Sequence, residues 1–181
     1  MAIGNDNPGL LEVLSIKNPE ASGGDLARDF WSSSSNYRQG ENMGQLMAVA
    51  AGDLDATHGG DASEEVVVAF GDDQKHLQVV LLDGESDGGI KYMGTWRSSS
   101  HGRYEMTDIK AAVGDLDGDG YKDEIALALS DQYEVLQIIV LEYNGSGGLT
   151  ELAYGRYSGA SEVDVTTGVF SGDGRDQIAA V

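Results

Sequence analysis

The sequence predicts an all-β fold made of β-propeller blades, each a unit of four antiparallel strands. One observation is that the apolar residues come in short, β-branched runs with no sustained helical period, separated by Asp, Asn and Gly turns. The other is that the chain repeats itself about every 60 residues, and each repeat holds four such runs, as one propeller blade does.

The repeat appears without a gap over some thirty residues when the sequence is shifted by 59 positions, so that Glu65 meets Glu124. The matched pairs include Ala69 with Ala128, Asp72 with Asp131, Leu77-Gln78-Val79-Val80 with Leu136-Gln137-Ile138-Ile139, and Arg97 with Arg156. A match of this length predicts the same strands and turns in both copies.

Two full blades are therefore predicted, at residues 46–105 and 106–160. In the second blade the strands are expected at 109–113, 125–129, 135–142 and 149–154. The first blade opens with a matching apolar run at 46–51 and continues with three further strands.

Both ends of the chain resemble parts of a blade. Residues 1–45 contain two strand-like runs, 10–16 and 26–31, that match the last two strands of a blade, followed by a connector. Residues 161–181 contain runs at 163–169 and 178–181 that match the first two strands. The chain thus has material for about three blades, whereas propellers close with about four to eight. The open strand edges are expected to pair with another copy of the chain or with neighbouring blades of a longer polypeptide.

An acidic loop lies between the first two strands of the second blade. It reads Asp115-Leu116-Asp117-Gly118-Asp119-Gly120-Tyr121-Lys122-Asp123. Alternate carboxylates on a tightly turned backbone converge on one point, which suits a hard cation that takes six to eight oxygen ligands. The predicted calcium ligands are the side chains of Asp115, Asp117, Asp119 and Asp123 and the carbonyl of Tyr121. The alternative is a glycine-rich acidic surface hairpin with no metal.

The segment Val113 to Gly120, followed by Asp123-Glu124-Ile125-Ala126, resembles the FG-GAP repeat, a family that includes VCBS-type repeats and the propeller of integrin α subunits. Phe70-Gly71 also matches the Phe-Gly element of that family, whereas the Gly-Ala-Pro element is missing. The resemblance implies calcium-stiffened blades, secreted or displayed at a surface, that bind proteins or glycans.

The other two acidic loops depart from this pattern. The first begins with Asp53 and Asp55, and after an insertion the pattern resumes at Asp61, Ser63, Glu64 and Glu65, which are further candidate ligands. The third has Val169 and Ser171 in place of two carboxylates and keeps Asp173 and Asp176. It is expected to hold its turn by hydrogen bonds and to bind metal weakly or not at all.

Charge and composition restrict the partners. With 11 basic and 31 acidic residues the net charge is −20, so nucleic acid and anionic membranes are not expected to bind, and cations are. There is no cysteine, no apolar run of about 18 residues and no secretory signal, so the chain is either cytosolic or a mature or excised piece. Calcium modules with Kd of about 10⁻⁴ to 10⁻³ M work outside cells, which favours an extracellular or cell-surface location.

Residues for catalysis are not evident. The three histidines are far apart in sequence and lie in no nucleophile motif, while Trp31 and Trp96 occupy equivalent blade positions that favour packing over a sugar platform. We therefore expect a non-catalytic adhesion or recognition module. Two alternatives stay open: the propeller of a carbohydrate-active enzyme such as a polysaccharide lyase, and a structural subunit that assembles through composite blades.

Overall fold

The computed structural model describes most of the chain, with the first three of the described ranges given by their backbone alone. The described residues are 2–4, 11–16, 28–32, 46–59, 63–71, 76–84, 90–99, 106–146, 148–172 and 174–181. They form β-strands, one short 3-10 turn at Ala56–His58 and no α-helix, which confirms the all-β prediction. No helix within these ranges has the length and apolar character needed to cross a membrane.

The strands fall into four antiparallel sheets in chain order. The N-terminal sheet contains β1 (Ala2–Gly4), β2 (Leu11–Ile16) and β3 (Arg28–Ser32). The first full sheet contains β4 (Met47–Gly52), β5 (Glu65–Gly71), β6 (Leu77–Gly84) and β7 (Ile90–Arg97). The second full sheet contains β8 (Met106–Gly114), β9 (Glu124–Asp131), β10 (Val135–Tyr143) and β11 (Leu149–Ser158). The third hairpin contains β12 (Val165–Gly168) and β13 (Gln177–Ala180).

The two full sheets repeat each other in register as well as in sequence. Both are simple meanders, in which each strand pairs with its neighbours in the chain. Ala69 pairs with Val79 in the first sheet, and Ala128 pairs with Ile138 in the second. Each sheet also has an irregularity in the pairing of its last two strands, at Leu81/Leu82 and at Val140/Leu141. The 59-residue shift therefore relates the strand pairing of the two sheets, including the position of the irregularity.

The main core lies between the full sheets. Every residue of β9 is buried, as is every residue of β5 except Val66, which is half-buried. Burial on both faces explains why these strands read as continuous apolar runs without alternation. A single apolar cluster includes side chains of both sheets, and β4 lies beside β8.

The third hairpin packs against the second full sheet, with β12 beside β8. The Thr167 hydroxyl donates to the Val113 carbonyl at 2.6 Å, and the Val163 amide donates to Asp108 Oδ2 at 3.0 Å. The innermost strands β4, β8 and β12 thus follow one another side by side, and each is joined to its next strand by an acidic loop. The strand β1 has no counterpart in the sequence-based prediction, because three residues are too few to show a period.

Candidate metal centres

The second acidic loop is shaped by hydrogen bonds from its own backbone to its carboxylates. The two carboxylate oxygens of Asp115 accept from the amides of Gly118 (2.7 Å) and Gly120 (3.0 Å). Both glycines have positive φ, at 85° and 98°, so the tight turn requires residues without a Cβ. Asp117 and Asp119 each accept from the amide two residues further on, at 2.9 Å. These Asx turns curl the loop so that its carboxylates face one another.

Three carboxylates converge at this loop, and one of them was not among the ligands predicted for it. Oxygen atoms of Asp115, Asp117 and Glu124 lie within 4.8 Å of one another. Glu124 is the first residue of β9, is only 1 % exposed and accepts from the Leu116 amide at 2.7 Å. In the sequence, Glu124 stands at the start of an apolar strand, so the loop pattern alone does not identify it as a candidate ligand. The repeat could have identified it, because it places Glu65, a candidate ligand of the first loop, at the same position of the first copy.

The remaining predicted ligands of this loop lie around the triad. Asp119 and Tyr121 are exposed, and Asp123 is buried beside Glu124. In this arrangement the structure brings Asp115 and Asp117 together with Glu124 but does not bring Asp119 or Asp123 into the same group. Their role as ligands stays a prediction.

The first acidic loop builds an equivalent triad from Asp53, Asp55 and Glu65, whose oxygen atoms also lie within 4.8 Å of one another. Glu65 is completely buried, and its Oε2 atom accepts from the amides of Leu54 (2.6 Å) and Asp55 (3.3 Å). Its Oε1 atom is buried and has no hydrogen-bond donor in the part of the chain that the structure describes. Ser63 is half-buried and Glu64 is exposed, both outside the triad, and Asp61 lies outside the described residues.

The two triads correspond position by position. In both, the glutamate that starts the second strand holds the amide of the leucine after the first aspartate, Leu54 in one loop and Leu116 in the other. The insertion in the first loop forms the 3-10 turn and leaves this arrangement unchanged. A loop that differs in length therefore presents the same three carboxylates.

The electrostatic state of both glutamates is unusual. Burial raises the pKa of Glu65 to about 7, and the charges of Asp55 and Asp53 add to this effect, although the Leu54 amide opposes it. Burial likewise raises the pKa of Glu124 to about 7, with contributions from Asp123 and Asp117 against the Leu116 amide. Without a cation the ionised form of each triad is therefore unfavourable. The positive charge of a divalent ion would compensate the repulsion between the carboxylates.

The third loop replaces the triad with neutral residues. Val169, Ser171 and Gln177 stand where Asp115, Asp117 and Glu124 stand in the second loop. Gln177 Nε2 donates to Ser171 Oγ at 2.7 Å, so a hydrogen bond joins two positions that are carboxylates elsewhere. Asp176 instead contacts the second loop, where its Oδ2 atom accepts from the Asp115 amide at 3.1 Å. Asp173 lies outside the described residues.

A histidine ties the first loop to the second full sheet. His58, at the end of the 3-10 turn, donates from Nε2 to the Tyr143 carbonyl at 3.1 Å, and the two rings meet edge to face at 5.5 Å. A Cβ on Gly145 would lie 2.8 Å from the His58 ring, so the close approach depends on glycine there. His58 is exposed and nevertheless has this partner.

No protein-family model matches the chain, and no curated protein matches it at a significant level. The resemblance to FG-GAP repeats accordingly rests on the loop residues quoted above. Two four-stranded antiparallel sheets with acidic clusters are consistent with propeller-like blades.

Proposed function

We propose that the protein is a non-catalytic, calcium-binding propeller module for adhesion or recognition outside the cell. The observation that carries the metal proposal is the buried Oε1 atom of Glu65, which has no hydrogen-bond donor among the described residues and belongs to a cluster of three carboxylates. Buried polar atoms are normally satisfied, so an atom of this kind is expected to have a partner that the protein itself does not supply. A cluster made only of carboxylate oxygens fits calcium better than a softer metal.

The residues present fit such an ion in both loops. Asp53, Asp55 and Glu65 would hold it in the first, and Asp115, Asp117 and Glu124 in the second, with Asp119, Asp123 and the Tyr121 carbonyl as additional ligands. A bound ion supplies positive charge that neutralises the cluster. The chain's own contribution is to fix the carboxylates through the Leu54 and Leu116 amides and through the Asx turns.

The proposal of recognition in place of catalysis rests on the structural role of the acidic residues in the two loops. The two described clusters lie in loops that join neighbouring strands, and oxygens of Glu65, Asp115 and Glu124 accept from loop amides, which gives these carboxylates a structural role. The loops on this rim of the sheets would then present a rigid, acidic surface to a protein or glycan ligand.

Calcium titration by calorimetry tests the metal proposal. We expect two sites in the unchanged protein and one in a Glu65→Gln variant, since glutamine keeps an acceptor for the Leu54 amide but loses the charge. Glu162→Gln is the matched control, because Glu162 is exposed and its replacement removes the same charge far from either triad in sequence. Unchanged binding in both Glu65→Gln and Glu124→Gln would refute the proposed sites.

The functional class is tested separately by glycan and protein arrays alongside turnover assays. Retained binding without product formation supports recognition. Depolymerisation of an acidic polysaccharide, abolished by one carboxylate substitution, would replace this proposal with the lyase alternative.

A further inference from the structure

The short strands β1 and β13 correspond to the two halves of one strand in a full sheet. In the first full sheet, β5 runs for seven residues, Glu65–Gly71. The four residues of β13 pair with β12 as the first four residues of β5 pair with β4: Gly168 meets Gln177 as Gly52 meets Glu65. The strand β13 therefore supplies the first part of such a strand.

The three residues of β1 supply the remainder. Ala2, Ile3 and Gly4 pair with Val13, Glu12 and Leu11, as Ala69, Phe70 and Gly71 pair with Val79, Gln78 and Leu77. The side chains correspond as well, since Ala-Ile-Gly stands in place of Ala-Phe-Gly. The next pair of strands continues the match, because Val13 meets Trp31 as Val79 meets Trp96. The N-terminal sheet is thus the outer part of a blade, and the third hairpin is the inner part.

The third hairpin and the N-terminal sheet each leave part of one strand edge without a described partner, at β13 and at β2, and the two parts have the same length. Asp164 and Val181 exchange both of their backbone hydrogen bonds, so along β13 the amides and carbonyls of Ile178 and Ala180 point away from β12. Among the described residues, β13 pairs with β12 only. On the inner side of β2, β1 covers residues 11–13 and leaves residues 14–16. Within the described ranges, three residues on each side thus have no strand partner at these edges.

An apolar groove lies beside the open edge of β13. It has a volume of about 410 Å³ and is lined by Leu116, Val140, Leu152 and Ile178, among others. Ile178 is half-buried, whereas Ile125, its counterpart in the second full sheet, is completely buried. Val66, the counterpart in the first full sheet, is half-buried although β6 pairs with it, so it is the groove that indicates a further apolar strand at the edge of β13.

We propose that this strand is β2 of a second copy of the chain, so that the copies join head to tail through a composite blade. The third hairpin of one copy supplies the two inner strands and the N-terminal sheet of the next supplies the outer part. The register follows from β5 and β6: Ile178 pairs with Ile16, Ala179 with Ser15, and Ala180 with Leu14. Val181 stands at the position of Ala69, which Ala2 takes opposite Val13, so Val181 must leave its pairing with Asp164 for β1 to continue the line of β13. Repeated joining of this kind, in which the end of one copy meets the beginning of the next, gives either a closed ring or an open filament.

Disulfide trapping tests this register, and the chain offers a clean background because it has no cysteine. Ala179 directs its backbone groups toward β12, so Ala179 and Ser15 would form a non-hydrogen-bonded pair, in which side chains are close. We expect a Ser15→Cys/Ala179→Cys variant to give covalent dimers or longer oligomers on oxidation. Leu14→Cys/Ala179→Cys is the control, because adjacent residues of a strand face opposite sides. Absence of a cross-link, equal cross-linking of the control, or a cross-link within single chains would overturn the proposal.

Mass measurement by light scattering gives an independent test. We expect the parent to show masses at multiples of 19.1 kDa, an Ala180→Pro variant to stay monomeric with unchanged circular dichroism, and an Ala180→Ser variant to behave like the parent. Proline removes the outward amide without removing a bond to β12, whereas serine keeps that amide. A folded chain that is monomeric at every concentration overturns the proposal. Neither test reads calcium binding, so the two proposals fail separately.

Discussion

Asp115 and Asp176 exchange two hydrogen bonds across the interface between the second acidic loop and the third hairpin. The Asp176 amide donates to the Asp115 carbonyl at 2.7 Å, and the Asp115 amide donates to Asp176 Oδ2 at 3.1 Å. Gly114 makes room for this contact, because a Cβ there would lie 2.8 Å from Asp176 Oδ2. An acidic residue of the loop that was expected to bind metal weakly or not at all therefore holds the first candidate ligand of the preceding loop.

The first prediction separates the hydrogen bond of Asp176 from its charge. Asp176→Ala removes the acceptor of the Asp115 amide and is expected to weaken calcium binding at the second loop. The loss of one hydrogen bond costs about 1 kcal/mol, which corresponds to roughly fivefold in Kd. Asp176→Asn keeps an oxygen acceptor for the Asp115 amide and should bind calcium nearly as the parent does. Calorimetric titration measures both, with Asp164→Ala as the control for charge, since Asp164 is exposed. Equal weakening by alanine and asparagine would show that the charge of Asp176 matters instead.

The second prediction adds a metal site to the third loop. Val169→Asp, Ser171→Asp and Gln177→Glu together restore the three carboxylates that the other two loops share. Calorimetry should then show one more calcium ion per chain than in the parent. A matched double variant, Val169→Asn/Ser171→Asn with Gln177 unchanged, should not gain it, because it lacks the charges. If the acidic variant gains no ion, the triad alone does not define the site.

The third prediction concerns pH in the presence of a chelator. Glu65 and Glu124 have pKa values of about 7 in the folded chain against 4.5 for an ordinary glutamate, so the folded state binds these protons more tightly than the unfolded state. Their contribution to stability is therefore complete below about pH 4.5 and is lost as the pH rises through about 7. Thermal melts in chelator should show a Tm that falls across this window.

Calcium should change that profile, because the metal binds the ionised carboxylates and its affinity increases as they lose their protons. Tm in excess calcium is expected to stay level or to rise between pH 5 and about 7.5. A Glu65→Gln/Glu124→Gln variant should show a flatter profile in chelator and little response to calcium. A parent protein with the same profile in both conditions would contradict the coupling.

The sequence predicted the repeated strands well because both copies carry the same apolar runs and turns, and the observed strands extend those predictions by a few residues at most of their ends. It did not reveal β1, since three residues carry no period, nor the place of Glu124 in the second triad. The contacts of Asp176 and His58 lie outside sequence reasoning for another reason. Both join elements that are distant along the chain, and only the packing of neighbouring sheets brings them together.

The last prediction tests one of those long-range contacts, between His58 and the turn at Gly145. Gly145→Ala should destabilise the protein for two reasons: φ is +74°, which costs an alanine about 1–2 kcal/mol, and the new Cβ would press against the His58 ring at 2.8 Å. In a His58→Ala background only the first cost remains, so the two substitutions should be less than additive by about 0.5 kcal/mol or more in urea unfolding. Gly159→Ala is the control, because Gly159 has φ of +98° and no atom within 4 Å of the position that a Cβ would take, so its cost should be the same with or without His58. Additive effects of Gly145→Ala and His58→Ala would show that the His58 ring does not contact the turn at Gly145 in solution.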